Sequence, residues 1–176
     1  MALLKDHAID HGFHVHDERH FVETYSLQQA WEIDLHPEMA CGGPLDVHMS
    51  LEVEPRVLLA FEDAVVDLPD TEDPPDAFQF PLALNWGLPP LPHSPDLLIL
   101  ATELAGIGGA ELPLEIQALD SIAMVTDAPA RSLAITARVP LSLARIFTGE
   151  ERLCELLDRA QAVSEFLLDR VPSWLD

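Results

Sequence analysis

Five histidines crowd the first twenty residues: His7, His11, His14, His16 and His20, interleaved with Asp6, Asp10, Asp17 and Glu18. Imidazole nitrogens and carboxylate oxygens are the donors that zinc, nickel and iron sites use. If residues 6–11 are helical, His7 and His11 share a face at i,i+4; in extended chain, His14 and His16 share a strand face. His14 and His16 are the metal-ligand candidates taken from this stretch. No ligand signature such as HExxH accompanies them, so the pattern fits a solvated polar segment as well as a metal site.

Other chemistries find no motif. No serine sits in a GxSxG elbow. Cys41 precedes Gly42-Gly43, a spacing that suits a plain loop cysteine as well as a reactive thiol. Gly106-Ile107-Gly108-Gly109 lacks both GxGxxG spacing and a following Lys-Ser/Thr. The acids between 62 and 76 lack the glycine that a calcium-binding loop needs at its turn. No catalytic or cofactor-binding residue is assigned, and the expectation leans to a non-enzymatic protein-binding module, with a metal-dependent enzyme using the N-terminal histidines, or a small-molecule-binding domain, as the alternatives. Phe78, Phe80 and Trp86 fall on one face of an alternating segment beside prolines. They fit a core, or an apolar groove or strand edge that accepts a peptide or another subunit, and are the partner-binding candidates.

Charge bounds the partners. There are 31 Asp+Glu against 9 Lys+Arg, a formal net charge of −22, and Lys5 is the sole lysine. Such a surface repels phosphates and anionic headgroups, so neither nucleic acid nor membrane is expected as a partner. A protein partner or a second copy of the chain is. Cys41 and Cys154 lie far apart without CxxC spacing, which gives no disulfide framework. Cys154, on the apolar side of a predicted helix, reads as a small buried hydrophobe. With no apolar leader and no run approaching about 18 apolar residues, the expected location is cytoplasmic.

The elements that must position these residues indicate a single α+β domain over residues 1–176. A short helix is predicted from Ala2 to about Asp10, broken at 11–13. Trp31, Ile33 and Leu35 alternate with polar residues, as do Leu45, Val47, Met49, Leu51 and Val53, so both read as half-buried strands of an antiparallel sheet. Val57, Leu59 and Phe61 read as the return strand of a hairpin. Residues 62–76 hold seven acids, three prolines and no base, and read as an exposed loop. The 78–86 strand contains Pro81, which argues for an edge position. Residues 97–105 fit strand or helix. Strands are expected over 112–125 and 133–139, and a long C-terminal helix begins at Thr148, where Glu151 completes a capping box. It ends near Val171-Pro172.

The stretch Leu133-Ala-Ile-Thr-Ala-Arg-Val-Pro-Leu141, followed by Thr148 to Phe166, resembles the end of YbjN-type, type III secretion chaperone-like domains. There a final strand leads into a capped amphipathic helix. The resemblance implies an antiparallel sheet with helices on one face, a dimer or adaptor role and no enzymatic activity. The family offers no catalytic residue to carry over.

Overall fold

The computed structural model describes residues 2–40, 42–69, 71–121 and 130–175. Helix α1 (Ala2–Asp10) stops at Gly12, whose φ of +83° turns the chain into strand β1 (Phe13–Val22). Strands β2 (Gln29–Pro37) and β3 (Asp46–Val53) continue an antiparallel meander. Helix α2 (Pro55–Val65) leads to β4 (Gln79–Gly87), which pairs with β3. Helix α3 (Leu97–Gly108) and strand β5 (Leu114–Ser121) follow. Strand β6 (Ala130–Ser142) then inserts between β4 and β5, giving one six-stranded antiparallel sheet in the order β1-β2-β3-β4-β6-β5. Helices α4 (Leu143–Thr148), α5 (Leu153–Arg170) and α6 (Pro172–Leu175) complete the chain. The fold is α+β, with a long C-terminal and a short N-terminal helix, as the patterning predicts.

The alternating strands put Ile33, Leu35, Val47, Met49, Leu82, Leu84, Trp86, Leu133 and Ile135 on one face, each 3% exposed or less. Helix α5 covers that face with Leu153, Leu156, Leu157, Ala160, Val163 and Leu167, a spacing of three and four residues that keeps them on one stripe. It is flanked by α1 on one side and α3 on the other. The opposite face of the sheet is polar and solvated. The apolar faces of β3 and β4 are thus covered within the chain: Leu51 and Val53 turn to a smaller cluster of Phe61, Phe80, Leu143 and Ala144.

Several expectations are corrected. Residues 57–61 are helical: Pro55 occupies the first turn, where its missing N–H is harmless, and Phe61, with Val57 and Val65 one turn to either side, faces the small cluster. Val57 and Phe61 fit both periods, whereas Leu59 fits only a strand and is left exposed (59%) on the helix; the proline decides between the two. Helix α2 therefore also takes the first residues of the predicted acidic loop. Strand β4 is central, because Pro81 stands opposite Pro140 beyond the last rungs of both flanking ladders, Leu51–Leu82 and Leu114–Ala137. Neither missing N–H is required there.

Residues 97–108 are helical because the Asp96 carboxylate accepts hydrogen bonds from the N–H groups of Leu98 (2.9 Å) and Ile99 (3.1 Å). Thr148 ends α4 rather than capping the long helix: Gly149, at φ +73°, terminates that short turn, and α5 starts after Arg152 without a side-chain cap. The His-rich segment is an edge strand whose inward side chains are Phe13 and Val15. The strand expected over 112–125 is observed as β5, and residues 122–125 lie outside the described residues.

One polar pair crosses the core. Trp86 Nε1 donates to Ser164 Oγ at 2.9 Å, and that hydroxyl donates to the Ala160 carbonyl at 2.8 Å. Ser164→Ala would leave the indole N–H unsatisfied, at about 1–3 kcal/mol. Urea denaturation should record that loss, and in the Trp86→Phe background the same substitution should have a smaller effect. At the sheet edge, Arg131 binds Asp120 through two hydrogen bonds of 2.5 and 2.8 Å, and this contact holds the Asp120 carboxyl below its ordinary value. A lowered folded pKa contributes stability above the unfolded value and loses it as pH falls through the folded one. Thermal melts should therefore separate wild type from Asp120→Asn at neutral pH and converge in acid.

Candidate functional site

Helix α1 and the turn after it carry His7 and His11 on one face. The last turn is closed by a hydrogen bond from the His11 N–H to the His7 carbonyl at 3.0 Å, so the i,i+4 relation holds through residue 11. The first turn of α5 brings Cys154 to the same place. Cys154 Sγ lies 3.3 Å from His7 Nδ1, and one donor atom from each of His7, His11 and Cys154 lies within 4.8 Å of the others. Among the described residues this is the group of three such donors that falls within the reach of a metal ion. One turn along α5, Asp158 Oδ1 meets His11 Nδ1 at 2.6 Å. Both histidines are half-buried, while Cys154 and Asp158 are exposed. Cys154 is thus a surface thiol beside an imidazole, which corrects its reading as a buried hydrophobe.

His14 and His16 lie elsewhere. They share the solvated face of β1 beside His36, as the alternation predicts, and the bulge between Val15 and Asp17 turns Asp17 and Arg19 to that same face. The His14 Nε2 lies 3.9 Å from Glu38, and the His16 ring packs edge-on against His36 at 4.3 Å. They border an ion-pair network on the solvated sheet face. There the Arg19 guanidinium reaches both oxygens of Asp34 (3.0 and 2.9 Å), and His48 Nδ1 meets Asp34 at 2.8 Å. Partly exposed pairs like these contribute little to stability and serve mainly to keep the face wet.

The three aromatic candidates also separate. Trp86 is fully buried in the main core, and Phe80 is 7% exposed in the smaller cluster. Phe78 is half-buried, its ring 5.8 Å from Phe61, which in turn stands 6.0 Å from the exposed ring of Phe147. A cleft of about 430 Å³ opens nearby, lined by Val139, Leu141 and Leu156 together with Arg145, Arg152 and Glu151. It lies at the rim of the sheet, where the end of β6 meets α4 and the first turn of α5.

Helix α3 shows the sharpest mismatch between residue type and environment. Its inner side buries Leu100, Leu104 and Gly108. Its outer side exposes Leu98 (78%) and Ile99 (61%), followed by Ala101, Thr102, Ala105 and Gly106. None of these six carries a charge. Glu103, paired with Arg170 at 3.0 Å, is the one charged side chain of α3, so a largely apolar helix is enclosed on one side and open on the other.

The sequence signals for this geometry are the pair His7/His11 and the pair Cys154/Asp158, each spaced four residues apart. Only the first pair stands out as donors in the sequence, because Cys154 adjoins the apolar stripe of its helix. The chain matches no family model, no curated protein and no solved structure. Among the described residues no helix is long and apolar enough to cross a membrane.

Proposed function

We propose that the protein is a protein-binding module, adaptor or chaperone-like in role, that docks an apolar helical segment on the outer face of α3. The observation that carries this reading is the uncharged strip of Leu98, Ile99, Ala101, Thr102, Ala105 and Gly106, bordered by the Glu103–Arg170 pair, on a chain of net charge −22. Contiguous exposed apolar surface marks interaction sites on soluble proteins. The small residues Ala101, Thr102, Ala105 and Gly106 let another helix approach closely, and Leu98 and Ile99 supply anchors. The C-terminal resemblance to secretion-chaperone-like domains agrees with such a role. Phe78 and Phe80, in the second cluster, belong to a separate surface and are not needed for this contact.

The occupant is an amphipathic helix of another protein; a second copy is the other outcome to be read. Two copies repel through their net charge, so self-association should strengthen with salt. A photo-crosslinking benzophenone residue is placed singly at Leu98, or at Leu59 as an exposed leucine outside α3. Irradiation in cells should yield a discrete adduct from position 98 that disappears on Ile99→Glu. Light scattering then separates a second copy, at twice the 19.4 kDa chain mass, from another protein. No adduct from position 98, or equal labelling from both positions, removes the reading.

A further inference from the structure

We propose that His7, His11 and Cys154 bind one transition-metal ion of the zinc class, clamping the N-terminal helix to the first turn of α5. The donor set is two imidazoles and a thiolate, which suits zinc(II) and excludes magnesium and calcium, whose sites are built from oxygen. The size of the triangle fits as well. With Zn–S of about 2.3 Å and Zn–N of about 2.0–2.1 Å, two ligands of a tetrahedral ion lie roughly 3.6 Å apart. The observed Sγ to Nδ1 separation is 3.3 Å, and all three donors fall within 4.8 Å. An ion between them needs the donors that stand up to 4.8 Å apart to close by about an ångström, within the reach of side-chain rotation.

Asp158 supplies the second element of a metal site. Its carboxylate engages His11 Nδ1 at 2.6 Å, so that nitrogen holds the proton and Nε2 keeps the lone pair that can ligate. Ligating histidines are regularly held this way by a carboxylate on their other nitrogen, which fixes the tautomer and the ring plane. Asp158 is therefore a positioning residue. Asp6 and Asp10 on α1, with Glu155 on α5, flank the cluster in sequence and add negative charge that attracts a cation. Because the cluster is half-exposed, the fourth position is open to water. Binding releases the thiol proton to solvent and leaves both imidazoles neutral.

Cobalt(II) is the probe, since thiolate ligation gives a near-ultraviolet charge-transfer band and tetrahedral geometry gives visible ligand-field bands. Metal-free full-length protein should bind cobalt one to one with both features, and zinc should displace it. The charge-transfer band should persist in Cys41→Ser and vanish in Cys154→Ser. His7→Ala, His11→Ala and Asp158→Asn should each weaken binding by about 10–100-fold, while His14→Ala and His16→Ala leave it unchanged. Zinc should also raise the melting temperature of wild type, and the metal-induced shift, compared within each variant, should disappear in Cys154→Ser. Absence of the charge-transfer band in wild type overturns the proposal. So does a band that survives Cys154→Ser, or an affinity that depends on His14 and His16 instead.

Discussion

The indole N–H of Trp86 lies in the middle of an otherwise apolar interface between sheet and helix, and it has to be satisfied there. Ser164 does this from α5 while bonding back to the Ala160 carbonyl, so both groups are paired and no water is needed. Among the described residues Ser164 is the one buried polar side chain, and a lone polar contact of this kind sets register. Leucine side chains on α5 would tolerate sliding along the sheet by part of a turn. The Trp86–Ser164 bond does not. Once residue 164 is fixed over β4, the straight run of α5 places Cys154 ten residues back, about 15 Å along the axis, beside the end of α1. A hydrogen bond in the core therefore determines which groups meet at the surface.

Charge is distributed around that scaffold unevenly. Acids line the solvated sheet face, where several are paired with Arg19, His36 and His48, and the 66–78 connection. The outer face of α3 is left with none. A net charge of −22 makes non-specific association unfavourable everywhere on the molecule. An uncharged strip of helix is where that repulsion is weakest and apolar burial is available. The acidity that disperses the protein and the contact proposed for α3 are thus compatible, since that strip is where repulsion opposes association least.

Strands with clean period-two alternation were legible in the sequence because one face of the sheet is covered and the other is wet; β2 and β3 follow from that alone. The amphipathic stripe of α5 was legible for the same reason, although its start was not. Thr148 and Glu151 have the right types and spacing for a capping box, yet the chain makes an extra turn first, since Leu143 and Ala144 gain burial against Phe61 and Phe80. Tertiary burial outweighed a local cap worth about 1 kcal/mol. The central position of β4 was hidden because a proline argues for an edge unless its opposite residue is known, and the Pro81–Pro140 pairing is a property of the register. Likewise the bulge that puts Asp17 and Arg19 on the same face as His14 and His16 leaves no mark in composition.

The N-terminal helix shows how the surface cluster relates to the fold. At nine residues α1 is too short to be stable alone, and among its described side chains Leu4 and Ala8 are the buried ones. Among the described residues its other attachments are polar: Lys5 to Glu18 at 2.9 Å, His7 to Cys154 and His11 to Asp158. An exposed lysine–glutamate pair adds little, so what orients the end of α1 on α5 is the meeting of two i,i+4 pairs, His7/His11 and Cys154/Asp158. Hydrophobic contact brings the helix down; directional contacts fix its rotation. Donor atoms become convergent only when both helices hold their rotation at once, which is why no reading of either segment alone reveals the cluster.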